Sequence, residues 1–97
     1  MKYIVDIDGT ICTQQKSSAE YHLAKPYMDR IHKVNMLFDK GNTIVYMTAR
    51  GMGSGVDCIE ITKKQLKDWG CKYDELIMNI KPSYDVWVDD KAEWIFE

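Results

Sequence analysis

Four short apolar runs punctuate the sequence: YIVDI at 3–7, TIVYM at 43–47, LIM at 76–78 and VWV at 86–88. Several are rich in β-branched residues and nearly continuous in hydrophobicity. That is the pattern of strands covered on both faces, as in a parallel sheet with helices on either side. Between the first two, residues 27–40 carry Ile31, Val34 and Phe38 at helical spacing before Gly41-Asn42 stops the run. After the second, residues 56–69 place Ile59, Leu66 and Trp69 on one face, leave Lys63, Lys64 and Lys67 exposed, and meet Gly70 as a stop. The order strand, helix, strand, helix, strand, strand predicts an open α/β sheet with right-handed crossovers. At 97 residues the chain accommodates one compact domain, 1–97, with no room for a separate lid domain.

The formal charge of -2 supplies no global basic field, so indiscriminate binding to nucleic acid or to an anionic membrane is disfavoured. A phosphorylated substrate would need a local positive site. The apolar runs are far shorter than the roughly 20 residues that cross a bilayer, and the first of them follows Met1-Lys2 without the apolar core and cleavage site of a secretory signal. Cys12, Cys58 and Cys71 are odd in number and form no C-x-x-C pair, which argues against a disulfide framework or a zinc site. The expected compartment is the cytoplasm, and no membrane partner is expected.

Two segments have no regular pattern. Residues 11–26 are polar and too long for a tight turn, and read as a functional loop, a flap or a small hairpin. Gly51-Met52-Gly53-Ser54-Gly55 reads as a flexible loop opening a helix, without the spacing of a phosphate-binding P-loop.

The chemistry concentrates at strand ends. Asp6-Ile7-Asp8-Gly9-Thr10 closes the first strand, although aspartate is depleted from strands and an ionised carboxylate is costly to bury uncompensated. Residues i and i+2 of a strand project to the same side, so Asp6 and Asp8 can share one site, and Gly9 lets the chain turn sharply. Ligands of open α/β sheets bind at that edge. Asp89-Asp90 follows the last strand, where it reads either as a second carboxylate pair or as a helix cap. If that strand lies beside the first, three or four acids converge, and a hard divalent cation, expected to be Mg²⁺, relieves their repulsion. On this view, removing the charge of Asp6 or Asp8 relieves repulsion rather than breaking packing. Thr48 offers a hydroxyl at the sheet edge and Lys81 a compact positive charge before the last strand, and both are candidates to hold phosphate oxygens.

Asp6-x-Asp8-Gly9-Thr10, then Thr48 after an apolar strand, then Lys81, then Asp89-Asp90 after an apolar strand, closely resembles the haloacid dehalogenase superfamily, whose four motifs appear in that order over residues 3–92. Tyr46-Met47-Thr48-Ala49-Arg50 and the stretch from Lys81 to Lys91 resemble the small capless phosphatases of that superfamily, including those associated with capsule and surface-polysaccharide biosynthesis. The resemblance implies a minimal Rossmann-like parallel sheet of about four strands, order 4-1-2-3, flanked by helices and without a cap. It implies that Asp6 attacks phosphorus and becomes a transient aspartyl phosphate, while Asp8 serves as general acid and then as base. Mg²⁺ would be held by the Asp6 carboxylate, the Asp8 main-chain carbonyl, Asp89 and Asp90, with Thr48 and Lys81 on the phosphoryl oxygens.

Arg50, two residues after Thr48, reads either as a substrate contact or as a surface arginine. Cys12 reads as a small buried filler, His22 and His32 as ordinary polar or core residues, and the tryptophans as packing residues. Larger superfamily members continue where this sequence reaches Trp94-Ile95-Phe96-Glu97. That apolar end reads either as a self-association surface, giving a homo-oligomer, or as packing on the last strand. The leading functional expectation is a Mg²⁺-dependent phosphomonoester hydrolase acting on a small phosphorylated metabolite such as a sugar phosphate. The alternatives are a phosphatase of nucleic-acid ends, using a basic patch of Lys63, Lys64, Lys67 and Lys72, and a degenerate phosphate-binding or regulatory module.

Overall fold

A computed structural model of the chain describes residues 1–50, 58–78 and 86–88. Its elements run β1 (Lys2–Asp6), a 3₁₀ helix (Ser18–Leu23), α1 (Met28–Asp39), β2 (Thr43–Thr48), α2 (Ile59–Asp68), β3 (Glu75–Met78) and β4 (Val86–Val88). The strands form one sheet in the order β3-β2-β1-β4, and every pairing is parallel. Read from its other edge this is 4-1-2-3.

The register explains why the strands are apolar throughout. Tyr3 pairs with Ile44 and Val5 with Tyr46, while Ile4 pairs with Val45. Val5, Ile44 and Tyr46 join Ile31 and Val34 of α1 and Leu66 of α2 in one buried cluster. Ile4 and Val45, whose side chains alternate to the opposite face, are buried as well. A strand buried on both sides cannot alternate between apolar and polar residues.

Both helices stop where the glycines stand. Gly41 and Gly70 have φ of 93° and 72°, and the amides after them return to the last helical turn, Asn42 to the Leu37 carbonyl at 3.2 Å and Cys71 to the Leu66 carbonyl at 2.9 Å. Asn35 of α1 then ties the two helices together. Its Nδ2 donates to the Gly70 carbonyl at 2.9 Å, and its Oδ1 accepts the Lys72 amide at 2.8 Å.

The inward face of α2 differs from the sequence expectation. Ile59 is 44% exposed, and Thr62 and Gln65 are buried beside Leu66. The reason lies in what the helix covers, which is partly charged. Residues 51–57, 79–85 and 89–97 lie outside the described residues, and with them the glycine-rich loop, Lys81, Asp89, Asp90 and the apolar end at 94–96.

Candidate active site

β1 ends at Asp6, and the chain turns within four residues. The Ile7 carbonyl accepts the amides of Thr10 at 3.1 Å and Ile11 at 3.0 Å, while the Gly9 amide donates to the Cys12 carbonyl at 2.9 Å. Gly9 has a φ of 82°, in the region an L side chain resists, so glycine is what allows the chain to fold back so tightly. The turn leaves Ile7 in the core and carries Asp8 beyond the strand end, where Asp6 and Asp8 are both half-buried at the C-terminal edge of the sheet. The Thr10 hydroxyl is buried without a hydrogen-bond partner among the described residues.

Residues 11–26 form a closed excursion. Cys12 bridges Pro26 in antiparallel fashion, the Thr13 amide donates to the Lys25 carbonyl at 2.9 Å, and the Tyr27 amide donates to the Ile11 carbonyl at 2.8 Å. The 3₁₀ helix caps this excursion and is held against α2 by Gln65, whose Nε2 donates to the Tyr21 carbonyl at 2.6 Å. Behind Gln65 lies a groove of about 270 Å³ whose other lining residues include His22, Lys64, Asp68 and Trp69. Neither Asp6 nor Asp8 lines it, so the groove and the sheet edge are separate features.

Asp8 is the centre of the polar cluster. Its Oδ1 accepts Nη2 of Arg50 at 2.8 Å and Nε at 3.2 Å, and its Oδ2 accepts Nε at 3.0 Å and the Thr48 hydroxyl at 3.4 Å. Thr48 is the last residue of β2, and its Oγ1 also accepts the Arg50 amide at 3.1 Å. Three residues from two adjacent strand ends are thus brought together. The sequence reading of Arg50 as a surface arginine is corrected here, because Arg50 is 1% exposed and turned inward. The same fact explains α2: the remaining guanidinium nitrogen, Nη1, donates to Thr62 Oγ1 at 3.3 Å and to Gln65 Oε1 at 2.5 Å. Thr62 and Gln65 were missed at the sequence level. Their shared spacing with Leu66 and Trp69 on one helical face was the available signal.

The electrostatics follow from burial and from Asp8. Burial opposes the charge of Arg50, yet the hydrogen bonds and negative charge of Asp8 outweigh it and hold the guanidinium more firmly protonated than usual. The Cys12 thiol, 3.7 Å from Asp8 Oδ1, is pushed up to about 12 by burial first and by the Asp8 charge second, so it stays protonated. The Tyr21 phenol, whose ring lies 4.6 Å from the Arg50 guanidinium carbon, is raised by burial and then by Asp8. Of the four lysines considered for a basic patch, Lys64 pairs with Asp68 at 2.6 Å and Lys72 with Asp39 at 2.9 Å.

No protein-family model and no curated protein matches the chain. Solved structures do. A target protein from Vibrio cholerae is 28% identical, with a TM-score of 0.71 over 98% of this chain and 79% of that one. A structure of the Pnkp1/Rnl/Hen1 complex gives 16% identity and a TM-score of 0.64, over 97% of this chain and 30% of the other. A D,D-heptose 1,7-bisphosphate phosphatase from B. bronchiseptica, complexed with magnesium and phosphate, gives 22% identity and a TM-score of 0.55, over 80% of this chain and 49% of that one. The fold is that of the haloacid dehalogenase-like phosphatases, as the four sequence motifs imply.

Proposed function

We propose, from the haloacid dehalogenase-like phosphatase fold and the acids at its sheet edge, that this chain is a phosphomonoester hydrolase acting through an aspartyl phosphate on Asp6. The observation that carries the reading is the convergence of Asp8 and Thr48 beside the end of β1, where Asp6 stands, at the edge where open parallel sheets bind their ligands. A carboxylate nucleophile splits hydrolysis into two easier steps, and a second carboxyl group can move the proton in both. Asp6 attacks phosphorus, Asp8 gives a proton to the leaving oxygen and later takes one from water, and Thr48 holds the phosphoryl group in register.

The donor set fits Mg²⁺, which prefers hard oxygen ligands. The Asp6 carboxylate and the Asp8 main-chain carbonyl would supply two such oxygens. β4 lies directly beside β1 with Val88 paired to Val5, and Asp89 is the next residue in the sequence. The described residues alone hold no group of three acidic, imidazole or thiol ligands, and Asp89 and Asp90 lie outside them. Bound there, the ion would offset the negative charge of the phosphoryl group, with Lys81 as its protein counterpart. No helix among the described residues is long and apolar enough to cross a membrane.

A small phosphorylated metabolite such as a sugar phosphate is favoured over a nucleic-acid end. Two of the lysines that would form the basic patch are already paired with carboxylates, which weakens the field a polyanion needs. The test is phosphate release by the purified chain with Mg²⁺ from phosphosugars, nucleotides and phosphorylated DNA ends, with Asp6→Asn as control. Release from phosphosugars that disappears in the variant supports the reading. Release from DNA ends alone would move it to the nucleic-acid alternative. Binding of phosphate without turnover would move it to a regulatory module.

A further inference from the structure

Arg50 heads the fully buried side chains by size, and a buried guanidinium is costly unless its donors are met and its charge paired. Here all three nitrogens have partners, and these come from separate parts of the chain: Asp8 after β1, Thr62 and Gln65 on α2. The Tyr21 ring of the 3₁₀ helix closes a further side at 4.6 Å. Gln65 holds both ends of this arrangement, accepting from Arg50 and donating to the Tyr21 carbonyl.

The two oxygens of Asp8 are unlike. Of the contacts between Asp8 and the guanidinium, Oδ1 carries the shortest, at 2.8 Å, together with the Cys12 thiol at 3.7 Å. Oδ2 is turned toward the Thr48 hydroxyl and shares only Nε, at 3.0 Å. Because Nε also lies 3.2 Å from Oδ1, a proton can occupy Oδ2 while the guanidinium keeps both of its donors on Oδ1.

We infer that Arg50 is the positioning residue for Asp8, fixing the carboxyl group so that Oδ2, on the Thr48 side, is the oxygen that carries the catalytic proton. The inference rests on the phosphatase reading above. In the first step an Asp6 oxygen bonds to phosphorus, the bond from phosphorus to the leaving oxygen breaks, and that oxygen takes the proton from Asp8 Oδ2. In the second, water attacks the aspartyl phosphate and returns a proton to Oδ2. The bond to Asp6 then breaks, and inorganic phosphate leaves. A carboxyl group free to rotate would present either oxygen at varying distance, and proton transfer needs hydrogen-bond reach at a defined atom.

The leaving group separates this role from a structural one. An alkyl phosphate expels an alkoxide that must be protonated, whereas p-nitrophenyl phosphate expels a phenolate that needs no acid. The quantity to compare is kcat/KM, which covers the first step alone. General acid catalysis contributes roughly 10²–10⁴-fold, so Arg50→Lys, which keeps the charge and loses the fork, is expected to lower kcat/KM about 100-fold on an alkyl phosphate and less than about fivefold on p-nitrophenyl phosphate. Gln65→Met, which removes one of the two Nη1 acceptors and leaves Thr62, Asp8 and Arg50 intact, is expected to show the same selectivity at about tenfold. Equal losses on both substrates in folded protein would overturn the inference while leaving the phosphatase reading in place. If Arg50→Lys does not fold, the ratio in Gln65→Met decides in the same way. Absence of Asp6-dependent release from either substrate in the unmutated chain would overturn both.

Discussion

Replacing Asp8 by asparagine is expected to destabilise the fold, contrary to what a crowd of like charges would suggest. The carboxylate is the negative partner of a guanidinium whose side chain is wholly buried, and its own side chain is 12% exposed. Removing one partner of such a pair costs about 3–5 kcal/mol, because the other charge is left buried and uncompensated. The asparagine oxygen still accepts one bond, and Thr62 and Gln65 still hold Nη1, so the low end applies, about 3 kcal/mol. In a domain of this size each kcal/mol moves Tm by roughly 4–8 °C, which gives a fall on the order of 12–24 °C. Thermal and urea unfolding followed by circular dichroism at neutral pH measure it. A double-mutant cycle with Arg50→Met supplies the internal control, since removing the orphaned charge should recover part of the loss. An Asp8→Asn protein within about 1 kcal/mol of the unmutated chain would refute the reasoning, and so would strict additivity in the cycle.

Other outcomes follow from the same structure. Asp6→Asn is expected to lower phosphate release by about three orders of magnitude or more, read in a steady-state assay, because the nucleophile is lost. Excess chelator should abolish release and added Mg²⁺ restore it, and unchanged turnover in chelator would remove the metal from the reading. Gly9→Ala should cost about 1–2 kcal/mol in urea unfolding, since φ is 82° there. Burial raises the thiols of Cys12 to about 12 and Cys71 to about 11 from an unfolded value of 9.0, so between those values the unfolded chain releases protons that the folded one keeps. Stability should therefore be unaffected by these groups below pH 9 and fall as pH rises from 9 toward 11 and 12, with the slope reduced in Cys12→Ala.

What could be read from residue order is local in its physics. Apolar runs identify strands buried on two faces because burial on both sides removes the need for alternation, and glycines at 41 and 70 stop helices because they accept positive φ. Asp6 and Asp8 stand out because carboxylates are rare beside apolar strand residues, whatever the rest of the chain does. The state of Asp8 is different in kind. Its partner lies 42 positions away, and the residues that steady that partner are on a third segment, where Thr62 and Gln65 look like an ordinary solvated part of a helix. Charge pairing depends on distance and on exclusion of water, and neither is a property of sequence spacing. Only the parallel register, which sets the end of β2 beside the turn after β1, and the packing of α2 over both, turned Arg50 inward and converted an expected repulsion into a buried attraction.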